Sequence, residues 1–180
     1  MTSNNDSKNF IIDSNSFIAP FRNYYHMDNF PGYWSWLHEQ LTSPKKQLLL
    51  PKIVYDELAS SQDSLAAWIK RDADQYIFKD YQNEPKMWQH FGEVMTYIQN
   101  CGFYKDVSIA NWSQTGKADP QLIAIAMTYN CDIVTLEQSA GNLSTRNPMK
   151  HEPKIPDVAT AMGVKCVDLN TIEQKFKLII

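Results

Sequence analysis

Short apolar runs of strand character alternate along this chain with longer stretches whose apolar residues recur every three or four positions, and that alternation restricts the fold most. Phe10 to Ile12 reads as a strand. "FPGYWSWLHEQL" then sets Phe30, Tyr33, Trp34, Leu37 and Leu41 at helical spacing, and "KIVYDELAS" after Pro51 reads as a short helix with proline near its first turn. From Ser64 to Asn100, Leu65, Trp68, Ile69, Trp88, Phe91, Val94, Met95 and Ile98 predict two helices broken near Pro85. "ADPQLIAIAMTYN" predicts a helix that feeds through Cys131 into the strand "DIVTL". "KIPDVATAMG" predicts another, ending in Gly163, before the strand "VKCVDL" and a last helix. Such units predict an α/β fold, a mainly parallel sheet covered by helices on both faces, with an enlarged helical segment in mid-chain.

A chain of 180 residues with 43% hydrophobic and 12% aromatic residues can bury one sizeable core. No repeat or long Gly, Ser or Pro linker divides it, so residues 1–180 read as one domain, with residues 1–8 as a polar, flexible tail. "MTSNNDSKN" has no apolar stretch behind a basic cap, and the longest apolar run, near "LIAIAM", is far below membrane-spanning length, so neither export nor a membrane is expected. Cys101, Cys131 and Cys166 are odd in number and form no CxxC pair, which argues against a disulfide framework or zinc knuckle and for the reduced cytoplasm. A net charge of -3 argues against one continuous basic face for nucleic acid, though local patches can coexist with it.

The chemistry lies in acids at strand ends and helix starts. Asp13 follows the first strand, and Glu137, two residues past Thr135 in "IVTLE", follows another. In open parallel sheets the ligand crevice lies at that carboxyl rim. Taken singly, an acid after a strand reads first as a turn or cap residue. Asp119, before Pro120, has the form of an N-cap with proline at N1, a position that also projects a carboxylate toward the rim. Asp157 follows Pro156 at a helix start, where the dipole favours an acid. Of the adjacent Asp56 and Glu57, at most one can face a shared site, and the stripe of Val54 and Leu58 puts Glu57 nearer the buried edge.

The ordered series Asp13, Glu57, Asp119, Glu137, Asp157 resembles the PIN-domain nucleases, and the chain looks like a relative of their VapC-type toxins in a poorly characterised branch. "IIDSNSF" matches the opening strand with its first acid and a small polar residue, Asn15, two positions on; "VYDEL" matches the second acid, "ADPQLIAIA" the third and "IVTLE" the fourth. The likeness runs from Phe10 to Leu169 and implies a three-layer α/β/α fold with a mainly parallel sheet. It departs from the family pattern at Glu137, one methylene longer than the usual Asp, and in the longer, more aromatic segment between Glu57 and Asp119.

Four or five carboxylates crowded together repel one another until a cation neutralises them. An oxygen cluster without His or Cys suits Mg²⁺ or Mn²⁺ rather than zinc, and His26, His38, His90 and His151 show no ligand spacing. The resemblance implies an endoribonuclease in which Asp13, Asp119 and Glu137, assisted by Asp157, hold one or two metals, Glu57 orients the attacking water, and Asn15 and Thr135 steady the ligands by hydrogen bonds. Arg146, Lys150, His151 and Lys154 form a basic loop that either contacts RNA phosphates or is simply solvated, and Lys45 and Lys46 read the same way. Trp68, Tyr76, Tyr81 and Trp88 either stack bases or belong to the core or a partner surface. The resemblance further implies a co-encoded antitoxin as partner, with a homodimer as the assembly to consider. Two rival classes are a non-catalytic protein on the same fold and a haloacid dehalogenase-type phosphatase. The latter requires an acid where Asn15 stands.

Overall fold

The computed structural model describes residues 8–114 and 116–179. The expected tail over residues 1–8 therefore lies outside the described residues except for Lys8. Five strands, β1 (Phe10–Ile12), β2 (Leu48–Pro51), β3 (Ile77–Phe78), β4 (Asp132–Val134) and β5 (Cys166–Val167), form one sheet in the order β3-β2-β1-β4-β5. Every pairing is parallel. Helices flank it in a three-layer α/β/α arrangement. They are α1 (Asn15–Ala19), α2 (Pro31–Thr42), α3 (Lys52–Ala59), α4 (Ser64–Asp72), α5 (Pro85–Asn100), α6 (Asp106–Trp112), α7 (Ala118–Tyr129), α8 (Ile155–Ala161) and α9 (Leu169–Lys175).

Apart from Asp132 at the start of β4, the central strands are apolar without alternation because helices cover both of their faces. Ile11, Ile12, Ile133 and Val134 are completely buried, and Leu48 and Leu50 nearly so. Phe10 pairs with both Leu48 and Asp132, and Ile12 with Val134, so β1 sits at the centre with β4 beside it. The edge strands are only two residues long, which limits pairing with other chains. Helix ends carry their own signals. Asp63 caps α4 by accepting from the Ala66 N–H at 2.9 Å, Asp168 caps α9 by accepting from Thr171 at 2.8 Å, and α7 stops at Asn130 in the left-handed conformation.

Several elements differ from expectation. Leu48–Pro51 is a strand; an unbroken four-residue apolar run shows no period, and pairing with β1 on one side and β3 on the other decides its state. Pro51 ends β2 in extended conformation and is at the same time the N-cap of α3, next to its first turn as expected. The middle block is not two helices with a single break. Ile77–Phe78 pairs with Leu50–Pro51 as an edge strand between α4 and α5. Helices α1 and α6 were also not evident from periodicity, being too short to show it.

Among the aromatics, Trp68 and Tyr81 are core, with the Tyr81 hydroxyl accepting from the Ile53 N–H at 3.0 Å, whereas Tyr76 and Trp88 are exposed. All three cysteines are free. Among the described residues no helix is long and apolar enough to cross a membrane.

Candidate functional site

The chain runs outward from β1 through β2 to β3, then crosses back to β4 and on to β5, so the direction of winding reverses between β1 and β4. Parallel sheets open a crevice at such a point, beyond the carboxyl ends of the two strands. Asp13 and Thr135 are the first residues past those ends. The Asp13 N–H donates to the Val134 carbonyl at 2.9 Å, and the Thr135 N–H to Val167 at 3.0 Å, which prolongs the sheet by one position and holds both residues in place.

Asp13 is almost fully buried and its carboxylate is held by hydroxyls. Thr135 donates from Oγ1 to Oδ2 at 2.9 Å, and the Ser14 hydroxyl faces Oδ1 at 3.4 Å. The Thr135 oxygen in turn accepts from the Glu137 N–H at 3.1 Å. Ser16 donates to the Val134 carbonyl at 3.2 Å, pinning the start of α1 against the end of β4. Asn15, expected to steady the ligands, is exposed at the beginning of α1. The residues beside it turn inward instead, because Asp13, Ser14 and Ser16 lie on the side of the turn that packs on β4.

Asp119 lies in the first turn of α7. It is not the N-cap its Asp-Pro sequence suggests: α7 starts one residue earlier, after Lys117, and the carboxylate accepts from the Trp112 indole N–H at 3.1 Å instead of from its own helix. Trp112 is itself completely buried at the end of α6. Glu57 lies on α3 and is exposed, not at the buried edge that the apolar stripe suggested.

These four acids act on one another. Burial pushes the Asp13 carboxyl up to about 7; the Thr135 hydrogen bond opposes the rise, and the charges of Asp119, Glu137 and Glu57 add to it. Burial likewise pushes Asp119 up to about 6, with Glu137 and then Glu57 adding, against the Trp112 hydrogen bond and the Lys117 charge. Cations stand at the margins. Lys154 donates to Glu137 Oε1 at 2.9 Å while the Ile155 N–H donates to Oε2 at 2.9 Å, so both glutamate oxygens are engaged at the start of α8. Lys117 donates to Glu152 at 2.8 Å. Both lysines are held above their ordinary range, chiefly by those hydrogen bonds.

The expected ligand set of Asp13, Asp119, Glu137 and Asp157 is not assembled. Among the described residues no three His, Cys, Asp or Glu side chains converge as a metal-holding group. Glu137 is turned to Lys154, and Asp157 secures the loop after β4, accepting from the Ser139 hydroxyl and from the Ala140 N–H at 3.0 Å. What is left, the pair Asp13 and Asp119, still fits a hard divalent ion, since Mg²⁺ keeps several waters and is commonly held by only one or two carboxylates. Neither aspartate forms an ion pair among the described residues, and each is kept hard to ionise by burial and by neighbouring acids.

The segment between Glu137 and Lys154 is tied down where Met149 donates to Phe103 at 2.8 Å and accepts from the Lys105 N–H at 3.0 Å. Arg146, Lys150 and His151 are exposed on it. Next to Thr135 and Glu137, a cleft of about 520 Å³ runs toward β5, where Gln138, Lys165 and Thr171 line it. Ser14, Ser16, Trp112, Lys117 and Glu152 escaped the sequence reading. The serines flank Asp13 and were open to inspection, whereas no spacing links Trp112 to Asp119 or Lys117 to Glu152.

Residues 10–177 match the family described as a domain of unknown function, DUF4411. The chain belongs to that family. No curated protein matches it. The span shared with DUF4411 begins at the first residue of β1 and runs past the end of α9, so it takes in all five sheet strands and every acid of the rim.

Proposed function

We propose that this DUF4411 chain is a Mg²⁺- or Mn²⁺-dependent endoribonuclease of the PIN type, hydrolysing RNA phosphodiester bonds at the Asp13–Asp119 rim. One observation carries the reading: Asp13, just past the carboxyl end of β1 where the winding of a parallel sheet reverses, and Asp119, whose charge acts on it, are in no ion pair among the described residues, and burial together with the charges of neighbouring acids resists the ionisation of each. The sequence resemblance to the PIN-domain nucleases supports the same place and the same order of acids.

Asp13 and Asp119 would hold the ion. When bound, it would supply Lewis-acid polarisation of a phosphoryl oxygen and acidify a water. The chain does the rest. Thr135 fixes the orientation of Asp13 Oδ2, and Trp112 fixes Asp119 Oδ2. Glu57, exposed on α3, would orient the attacking water. Glu137 holds Lys154 and the first N–H of α8. Arg146 and Lys150, exposed on the segment after β4, would meet phosphates flanking the cleaved bond. A co-encoded antitoxin is the partner this reading carries with it, and growth arrest on expressing the chain alone, relieved by Asp13→Asn, tests that part.

The principal test compares the protein with Asp13→Asn on a panel of structured RNAs in Mg²⁺ or Mn²⁺. Cleavage by the unaltered chain and a loss of at least about 100-fold in the variant are expected. Undiminished cleavage by Asp13→Asn would remove this carboxylate from the chemistry. A second reading, a non-catalytic interaction protein on the same fold, draws on the engagement of both Glu137 oxygens. A silent calorimetric titration with both ions, together with no cleavage of any RNA, would favour it.

A further inference from the structure

We infer that the cavity between Lys105 and residues 147–151 is a phosphate-binding site, which grips the RNA backbone by one phosphodiester away from the acids of the rim. That its ligand is RNA rests on the nuclease reading above; that its ligand is an anion does not.

The cavity measures about 340 Å³, and Lys105, Lys150, His151, Asn142 and Asn147 are among its walls. Among the described residues no Asp or Glu lines it. The backbone brings the two lysines there from distant parts of the sequence. Tyr104 and Met149 form a parallel bridge, so Lys105 and Lys150 each follow a bridged residue. The Lys105 N–H donates to the Met149 carbonyl at 3.0 Å, the Met149 N–H to Phe103 at 2.8 Å, and the Ser108 hydroxyl to the Met149 carbonyl at 3.3 Å. Tyr104 and Ser108 are buried, which anchors the bridge. Gly102, at a φ of +71°, adds a close approach, since a Cβ there would stand 3.3 Å from the Thr145 methyl carbon.

This placement confines like charges with no counter-charge from the chain. Neither Lys105 nor Lys150 forms an ion pair among the described residues. The acids beside the site in sequence serve elsewhere: Glu152 accepts from Lys117 at 2.8 Å, and Asp106 is not in the cavity wall. Two ammonium groups in one concavity repel each other, whereas an anion between them is attracted by both. A concave site of one sign also concentrates such ions, here in a chain whose net charge is -3. Ammonium charges, amide N–H groups and an imidazole set around a hollow suit a tetrahedral group with oxygens on several sides better than a planar carboxylate. Lys105 thus joins Lys150 in one site, whereas Arg146 does not line it. Contacts of this kind read the backbone and not the bases.

Anisotropy of fluorescein-labelled single-stranded RNA with the full chain, in EDTA so that no divalent ion takes part, tests the site. The double variant Lys105→Gln, Lys150→Gln should bind about five- to tenfold more weakly, alike for oligo(U) and oligo(A), with a slope of log affinity against log salt shallower by about 0.7. Lys105→Arg, Lys150→Arg should bind as the unaltered chain does. Lys70→Gln, Lys86→Gln removes the same charge from exposed positions on α4 and α5, and should stay within about twofold. The inference is overturned if the unaltered chain binds no RNA, if Lys105→Gln, Lys150→Gln binds undiminished, or if the control pair weakens binding equally. An oligoglutamate peptide that competes as well as RNA of equal charge would overturn it too, in favour of an acidic protein. RNA cleavage in Mg²⁺ with undiminished binding by the double variant leaves the nuclease reading standing without this site, and lysine-dependent binding without any cleavage does the reverse.

Discussion

Thr135 donates a hydrogen bond to Asp13 at 2.9 Å across 122 residues of sequence, joining the ends of two neighbouring strands. The same hydroxyl oxygen accepts from the Glu137 N–H, so one threonine links the two acids that follow β1 and β4. Thr135→Val would leave a buried carboxylate oxygen and a backbone N–H unpaired at once. Each such loss costs about 1–3 kcal/mol. Urea unfolding at pH 8 should show a fall of about 2–4 kcal/mol for valine and near-recovery for Thr135→Ser, which keeps the hydroxyl.

The raised Asp13 carboxyl sets a pH dependence. Its proton affinity is higher in the folded chain, about 7 against 3.8, so between those values the folded state binds more protons than the unfolded one. Stability is therefore present at low pH and is lost as the pH rises through that window, by about 4 kcal/mol for Asp13 alone. Asp119, at about 6, adds to the fall in the same direction over a narrower range. Without divalent ions, Asp13→Asn should melt higher than the unaltered chain at pH 8 and close to it near pH 4. Equal melting at pH 8 would contradict the buried, uncompensated acid.

Mg²⁺ or Mn²⁺ should reverse that loss. An ion that binds only the folded state stabilises it by about 2.7 kcal/mol at a hundredfold excess over its dissociation constant. The gain should grow from pH 5 to pH 8, because the ligands must give up their protons first. Asp119→Asn should abolish most of the shift in thermal melting.

Trp112 holds Asp119 through its indole N–H, a bond that favours the ionised carboxylate. Trp112→Phe removes the donor, so the Asp119 carboxyl should rise above about 6. Carbon-13 titration of the aspartate side chains reads that rise directly. The vacated indole volume in a fully buried position should also cost about 1–3 kcal/mol in unfolding experiments.

Asp157 tells the opposite story. Its carboxylate binds Ser139 and Ala140, so Asp157→Ala should speed amide exchange at Ala140 and its neighbours and cost about 1 kcal/mol. Mn²⁺ affinity should not move. A large loss of affinity would restore Asp157 to the ligand set.

How far the sequence can be read depends on whether a feature is local. The helix over "ADPQLIAIAMTYN" and the strand "DIVTL" declare themselves by period, length and the asparagine between them. Leu48–Pro51 does not, because an unbroken apolar run suits strand and helix alike until a neighbour supplies hydrogen bonds. Ile77–Phe78 is too short to show any period and becomes a strand only by lying against β2. At the rim the same division appears. Asp13, Asp119 and Glu137 stand out by position after strands or at a helix start, whereas Lys154 facing Glu137 and Trp112 facing Asp119 follow no spacing rule.

The amino-acid sequence alone determined the alternation of strand and helix, the parallel sheet that follows from it, and the row of acids at strand ends, since each depends on residues within a few positions of one another. Tertiary packing decided which of those acids stayed without a cation. Glu137 and Asp157 were taken up by Lys154, Ile155, Ser139 and Ala140, while Asp13 was buried against Thr135 and Asp119 was held by the Trp112 indole. A charge is neutralised by whatever the fold brings within reach, and reach across a sheet edge is a property of the folded chain.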